Sequence, residues 1–167
     1  MNIEFGRNLI KKREFSEALD FFLKIKDNEK DKARVYFFLG LIYSELNNYK
    51  KSIENYEKCL ELKPNSVQAI FNLAVEKQNI GKIHEAKSLY LKILDIDKKN
   101  IRIYFALYSL DPNFINTDYY KFVEGIEQNN KLDKYEKSLI YFLKSKKAKL
   151  IKNKKKEIKY LEEFHKY

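Results

Sequence analysis

The feature that most constrains this chain is a period of 34 residues, along which residues of similar size recur. When the sequence is aligned with itself at this period, each set of aligned positions forms a column. Two columns hold small residues, and the columns beside them hold large apolar ones. The small columns are Gly6, Gly40, Ala74 and Ala18, Ser52, Ala86; the large columns are Phe5, Leu39, Leu73, Leu107, then Phe22, Tyr56, Tyr90, then Ile25, Cys59, Ile93, then Tyr36, Ile70, Tyr104. A small residue between apolar neighbours lets two helices approach closely, and the large side chains fill the grooves beside the crossing. The period therefore predicts stacked helix hairpins.

The columns carry a resemblance to a known repeat. In residues 33–66 the spaced residues are Tyr36, Leu39, Gly40, Tyr43, Ser52, Tyr56 and Pro64. This pattern resembles the tetratricopeptide repeat (TPR), which runs W-x2-L-G-x2-Y, then A-x3-F, then P. The next unit departs from the pattern at Lys77 and Lys98, which lie outside the small-residue columns, so we expect helix packing to survive both changes.

We expect an all-α protein made of a single TPR-like domain over residues 1–167. Three repeats are clear (1–32, 33–66 and 67–100), and two C-terminal units are degenerate (101–137 and 138–167). The TPR resemblance implies a right-handed superhelical solenoid of antiparallel helix hairpins, whose first helices line the concave surface.

Local signals predict where helices begin and end. Pro64 should end a unit, and Asn47, Asn48 and Gly81 should lie between helices, where left-handed backbone is tolerated. The Asp111-Pro112-Asn113 stretch should break the chain.

Two further helix starts are predicted in the degenerate region. Thr117-Asp118 is predicted to cap a helix that runs through Tyr120, Val123 and Ile126. The Asp133/Glu136 spacing predicts another start.

The residue types present argue against catalysis. The single cysteine, Cys59, shares a column with isoleucines and is predicted to be a buried apolar side chain. His84, expected in an interhelical turn, and His165 lie far apart, without a carboxylate or thiol at metal-ligand spacing. We therefore expect a protein that is not an enzyme and has no cofactor or metal. One cysteine and the lack of a long apolar run or signal peptide indicate a cytoplasmic setting.

The first helices offer a candidate peptide-binding groove. The resemblance places nine residues along the concave face: Arg34, Phe37, Phe38, Leu41, Phe71, Asn72, Val75, Arg102 and Phe105. Asn72 and Arg102 match two positions of the carboxylate clamp of some TPR proteins, whereas Phe37, Leu41 and Ala106 replace its other polar residues. An apolar groove suits an amphipathic helix or a hydrophobic peptide. Alternatively, the phenylalanines pack against neighbouring helices, or the C-terminal helices occupy the groove.

Two other functions remain open. The net charge is +10, and residues 131–167 carry thirteen lysines against five acids, a net +8. This basic end could contact nucleic acid or an acidic partner, although a solvated lysine face is also typical of a helix. We expect no membrane partner.

A second resemblance concerns the runs 103–107 and 139–143. Together they are similar to the end of the TPR segment that precedes bacterial sulfotransferase domains. That likeness implies an N-terminal segment of a larger enzyme.

Overall fold

The computed structural model of the protein describes residues 3–127 and 132–167, apart from the side chain of Tyr119. All regular structure in these ranges is helical. The chain divides after Leu89 into two compact units, and one helix runs across the division.

The first unit contains most of the sequence predicted to form the three clear repeats. Its helices are α1 (Ile3–Lys11), α2 (Phe15–Ile25), α3 (Lys32–Glu45), α4 (Tyr49–Leu62) and α5 (Val67–Asn79), followed by the start of α6 (Ile83–Ile96). Each helix contacts the next from α1 to α5, and the first helices α1, α3 and α5 also contact one another in order.

The small-residue columns lie where helices cross. Ala18, Ser52, Ala74 and Ala86 are completely buried. A Cβ atom on Gly40 would lie 2.7 Å from the ring of Tyr56, and one on Gly6 would lie 2.6 Å from the ring of Phe21. The predicted close approach of paired helices is confirmed, because these distances leave no space for a methyl group.

The turns within hairpins share one backbone feature. A residue with positive φ follows α1, α3, α5 and the first helix of the last hairpin: Arg13 (63°), Asn47 (57°), Gly81 (78°) and Lys152 (56°). The predicted positions of Asn47 and Gly81 between helices, with left-handed backbone, are confirmed. Arg13 and Lys152 show that the turn geometry is imposed by the packed helices, since arginine and lysine have no intrinsic preference for this region.

Three predicted boundaries are confirmed and two are wrong. Helix α4 ends before Pro64, a break lies at Asp111, and Asp133 and Glu136 form a capping box. His84 is the second residue of α6 and does not lie in a turn. Thr117 caps no α-helix, because α8 begins at Lys121 with Tyr120 at its N-cap position, and the Thr117 hydroxyl donates to the carbonyl of Phe114 at 2.7 Å.

The second unit begins within α6 and contains the degenerate repeats. Its elements are α7 (Ile101–Leu110), two 3-10 helices (Pro112–Asn116 and Asp118–Tyr120), the short α8 (Lys121–Ile126), α9 (Lys134–Leu150) and α10 (Lys154–Phe164). The helix predicted to run through Tyr120, Val123 and Ile126 is thus 3-10 over Asp118–Tyr120 and α-helical over Lys121–Ile126. Phe114 and Ile115 of the first 3-10 helix are buried, and the Phe114 ring lies 6.2 Å from that of Tyr104 in α7.

A partly buried charge pair joins α9 to the segment after α8. Lys144 is only 9% exposed and its ammonium donates to Glu127. Burial alone would raise the pKa of Glu127, but hydrogen bonds from Lys144 and Tyr141 outweigh it and lower that pKa below its usual range. The contact between α9 and the segment after α8 is therefore partly ionic.

Candidate functional site

A cavity of 360 Å³ opens among the first helices of the first unit. It is lined by Glu4 and Arg7 of α1, by Arg34, Phe37 and Phe38 of α3, and by Gln68 of α5. A smaller hollow of 170 Å³ shares Arg34, Phe37 and Gln68 and extends to Cys59 and Lys63 at the end of α4. Three of the nine predicted residues thus line the 360 Å³ cavity, which we call the first-helix cavity.

Two phenylalanines form the apolar part of the first-helix cavity. The ring of Phe38 stacks on that of Phe22 with centroids 5.1 Å apart, and the ring of Phe37 lies 5.6 Å from Phe38 and 5.9 Å from Tyr56. Both phenylalanines are only half-buried. They support the helix packing, as the alternative interpretation expected, and still present apolar surface to the cavity.

The charged rim of the cavity is close to neutral. Arg7 lies 3.4 Å from Glu4, and Arg34 lies 3.4 Å from Asp31. All four side chains are about half-exposed, so these pairs contribute little energy. The cavity therefore has no strong preference for a charged ligand, and its guanidinium groups remain able to donate hydrogen bonds.

Four predicted residues occupy the same face of α3 and α5. Leu41, Phe71, Asn72 and Val75 are all half-buried. The amide of Asn72 donates to the hydroxyl of the buried Tyr56 at 3.1 Å, so this side chain stabilises the core.

The two remaining predicted residues belong to the second unit and contact α9 or the residue that caps it. Arg102 pairs with Asp133 at 3.1 Å and with Glu136 at 3.4 Å. The Phe105 ring lies 5.6 Å from that of Phe142. Asn72 and Arg102, which match two positions of the TPR carboxylate clamp, thus both bind other side chains of the protein.

Three lining residues were missed: Glu4, Arg7 and Gln68. Each stands 34 residues from a predicted residue, because Gln68 follows Arg34 and the other two precede Phe38 and Leu41 by one period. Extending every column by one unit in both directions would have found them.

A polar cluster near the end of α5 was also unforeseen. Lys77 is nearly buried between Glu57 (3.1 Å) and Glu85 (3.0 Å). Glu76 is 2% exposed and accepts a hydrogen bond from Ser44, while its Oε2 atom has no partner among the residues that the structure describes. Lys77 stands at the repeat position that Tyr43 holds in the preceding unit. The lysine is tolerated there because two carboxylates neutralise its charge.

Cys59, the candidate nucleophile, lies in the core. Cys59 is 2% exposed, and burial raises the pKa of its thiol, which disfavours the nucleophilic thiolate. Within residues 3–127 and 132–167, no three His, Cys, Asp or Glu side chains are grouped as metal ligands would be. In the same ranges, no helix has the length and apolarity needed to cross a membrane.

Family comparison identifies the class of the repeats. Residues 33–66 and 67–100 each match the tetratricopeptide repeat family model. The resemblance found in the sequence is confirmed, and the chain contains tetratricopeptide repeats.

Two curated relatives illustrate where the similarity lies. The photosystem I assembly protein Ycf3 of Acaryochloris marina is 28% identical over 102 residues, which cover 57% of this chain and 61% of that protein. The peroxisomal targeting signal receptor of Saccharomyces cerevisiae is 32% identical over 92 residues, covering 53% of this chain and 14% of the receptor. The chain spans at most about three-fifths of the length of these relatives.

Solved structures share the fold over nearly the whole chain. A crystal structure of MamA has a TM-score of 0.72 at 16% identity, covering 99% of this chain and 94% of that one. The structure of PilF from Pseudomonas aeruginosa also has a TM-score of 0.72 at 16% identity, covering 93% and 70%. These likenesses show that the fold is that of TPR solenoid proteins.

Proposed function

We propose that this protein is a non-catalytic scaffold that binds an apolar peptide segment of a partner protein in its first-helix cavity. The observation that carries the proposal is the 360 Å³ depression, because it places Phe37 and Phe38 between three first helices with polar groups around them. An apolar floor with a few polar groups at its edge is typical of a peptide-binding groove.

The near-neutral rim favours an apolar ligand over a strongly charged one. Arg7 and Arg34 each have an acidic neighbour, so neither is an unopposed cation. Gln68 and the two arginines supply hydrogen-bond donors for a peptide backbone, while Phe37 and Phe38 take its apolar side chains. A hydrophobic helix or strand with few charges is the expected ligand.

Within this proposal the nine predicted residues have two roles. Arg34, Phe37 and Phe38 contact the ligand, and Leu41, Phe71 and Val75 extend the binding surface along α3 and α5. Asn72, Arg102 and Phe105 act within the protein, since each contacts another of its side chains.

The names of the relatives support a protein-binding role. Ycf3 is named as an assembly protein and the yeast protein as a receptor for a targeting signal. We further propose that the chain acts as one TPR domain. We also propose that it acts in the cytoplasm, since its only cysteine is free and buried. The alternative of an enzyme's N-terminal segment gains no support from these relatives and stays a prediction.

The experiment selects ligands from a displayed random-peptide library on the immobilised full chain and measures their affinities by fluorescence anisotropy. We expect apolar peptides that lose affinity about tenfold or more for Phe37→Ser and for Gln68→Glu. Phe122→Ser is the matched control, because Phe122 is 43% exposed and lines a different 360 Å³ hollow in the second unit, with Lys98, Lys99, Lys121, Gly125 and Ile126. Peptides that bind Phe37→Ser as tightly as wild type, or that lose affinity only for Phe122→Ser, would refute the cavity assignment. Failure to enrich any peptide would refute the function.

A further inference from the structure

The turn between α9 and α10 concentrates positive charge and exposed aliphatic side chains. We define the basic tip as residues 149–159. It holds one glutamate and six lysines, a net charge of +5: Lys149, Lys152, Lys154, Lys155, Lys156 and Lys159. Among these lysines, Leu150, Ile151 and Ile158 are 50%, 57% and 57% exposed.

The other hairpins of the same chain provide an internal comparison. Arg13, Asn47, Gly81 and Lys152 occupy the same positive-φ position of the turn. The window from three residues before to seven residues after that position has a net charge of 0 at 10–20, 0 at 44–54, +1 at 78–88 and +5 at 149–159. A general bias toward lysine would act on all four turns. The basic tip is therefore a property of this turn.

The lysines of the tip form no ion pairs within the described part of the chain, although the charge of Lys159 helps to lower the pKa of the Glu127 carboxyl. Among the described residues, none of the six pairs with a carboxylate. Lys154, Lys155 and Lys156 occupy the first turn of α10, where the helix dipole disfavours positive charge. Because these charges repel one another and oppose the dipole, an external anionic surface would stabilise them.

The aliphatic side chains decide which anionic surface fits. Helix α10 buries no residue completely, and Ile158 projects from it in the midst of the lysines. The nearby rings of Tyr141 and Tyr160 lie 6.5 Å apart between α9 and α10, so they pack the hairpin instead of forming a platform for bases. Lysines around exposed leucine and isoleucine match the headgroups and acyl chains of a bilayer.

We propose that the basic tip docks on the surface of an anionic lipid bilayer, with Leu150, Ile151 and Ile158 entering the interface. The contact is peripheral and requires no membrane-spanning helix. The proposal differs from the expectation, drawn from sequence alone, that the protein has no membrane partner. The tip and the first-helix cavity share no residue, so the proposal is tested independently of peptide binding.

The test is co-sedimentation of the full chain with vesicles of phosphatidylcholine mixed with phosphatidylserine, and with vesicles of phosphatidylcholine alone. We expect binding to the anionic vesicles only, weakening as salt rises. Each lysine near such a surface contributes about fivefold to partitioning, so Lys154→Gln/Lys155→Gln/Lys156→Gln should weaken binding about a hundredfold. Leu150→Ser/Ile151→Ser should weaken it roughly tenfold by removing apolar insertion.

Matched controls come from the equivalent turn between α3 and α4. Lys50→Gln/Lys51→Gln and Leu46→Ser change the same residue types in that turn, and both should bind as wild type does. No binding to anionic vesicles at low salt would overturn the proposal, as would equal losses in the control variants. Undiminished binding by Leu150→Ser/Ile151→Ser would show that the contact is purely electrostatic, without apolar insertion, and would likewise overturn the proposal. Binding of a single-stranded RNA oligonucleotide through the same lysines, without vesicle binding, would assign the tip to nucleic acid instead.

Discussion

Replacing Gly40 with alanine tests whether a small residue at the helix crossing holds α3 and α4 together. The added Cβ atom would lie 2.7 Å from Cδ1 and Cε1 of Tyr56 and 3.0 Å from Cγ. Carbon atoms in contact are normally about 3.5 Å or more apart, so the ring would have to move by roughly 0.8 Å. The Tyr56 ring is 1% exposed and has no free space to enter.

The expected magnitude combines three contributions. Overpacking a filled core costs about 1–3 kcal/mol. Displacing Tyr56 weakens its 3.1 Å hydrogen bond from Asn72, at a cost of about 1 kcal/mol. Alanine in place of glycine stabilises a helix by about 1 kcal/mol. We therefore expect Gly40→Ala to lower the free energy of unfolding by about 1–3 kcal/mol.

Gly125→Ala is the matched control, because a Cβ atom there would have no neighbour within 4 Å. It should raise the free energy of unfolding by up to about 1 kcal/mol through helix propensity alone. Urea denaturation followed by far-ultraviolet circular dichroism measures both variants. A double-mutant cycle with Tyr56→Leu should recover part of the loss at Gly40, since the smaller side chain makes room. Equal effects of Gly40→Ala and Gly125→Ala, or strict additivity in the cycle, would refute the close-crossing argument.

Three further predictions concern charged side chains. Lys77→Ala should lower the free energy of unfolding by about 1 kcal/mol in urea denaturation, and less at high salt, because Glu57 and Glu85 lose the cation between them. Asp133→Ala should lower it by about 1 kcal/mol in thermal unfolding, because the backbone N–H of Glu136 loses its acceptor, the Asp133 carboxylate. The pKa of Glu127 is lowered in the folded protein, so its carboxylate stabilises the fold above the ordinary value of 4.5, and this stability is lost as the pH falls through the folded value. The urea midpoint should accordingly fall as the pH drops below about 4.5, and less so in Glu127→Gln.

Each of these predictions has a control within the chain. Lys92→Ala removes an exposed lysine of α6 and should change little; a loss as large as that of Lys77→Ala would contradict the ion-pair argument. Asp133→Asn keeps a capping side chain and should stay close to wild type. Glu124→Gln changes an exposed acid of α8 and should leave the pH dependence intact, whereas an equal effect at Glu124 would show that Glu127 is not special.

Several elements of the site were predictable because they obey the repeat. Arg34, Phe37 and Phe38 were placed on the first helix by their position in the period, and they do line the cavity. Arg102 and Phe105 occupy the same columns as Arg34 and Phe37, yet Arg102 pairs with Asp133 and Phe105 packs against Phe142. The position of a residue in the repeat predicts which face of its helix it occupies. It does not predict which residue it contacts there, because that residue comes from a distant part of the sequence.

The sequence by itself determined the hairpin architecture, because a glycine, alanine or serine at each crossing is a local requirement that repeats with the unit. It also determined the placement of Cys59 in the core, since its column is apolar. Only the tertiary structure decided which charged residues became internal, as Lys144 did beside Glu127. The physical reason is that burying a charge depends on a partner from another segment, and a repeat pattern carries no information about that partner once its register is lost after residue 100.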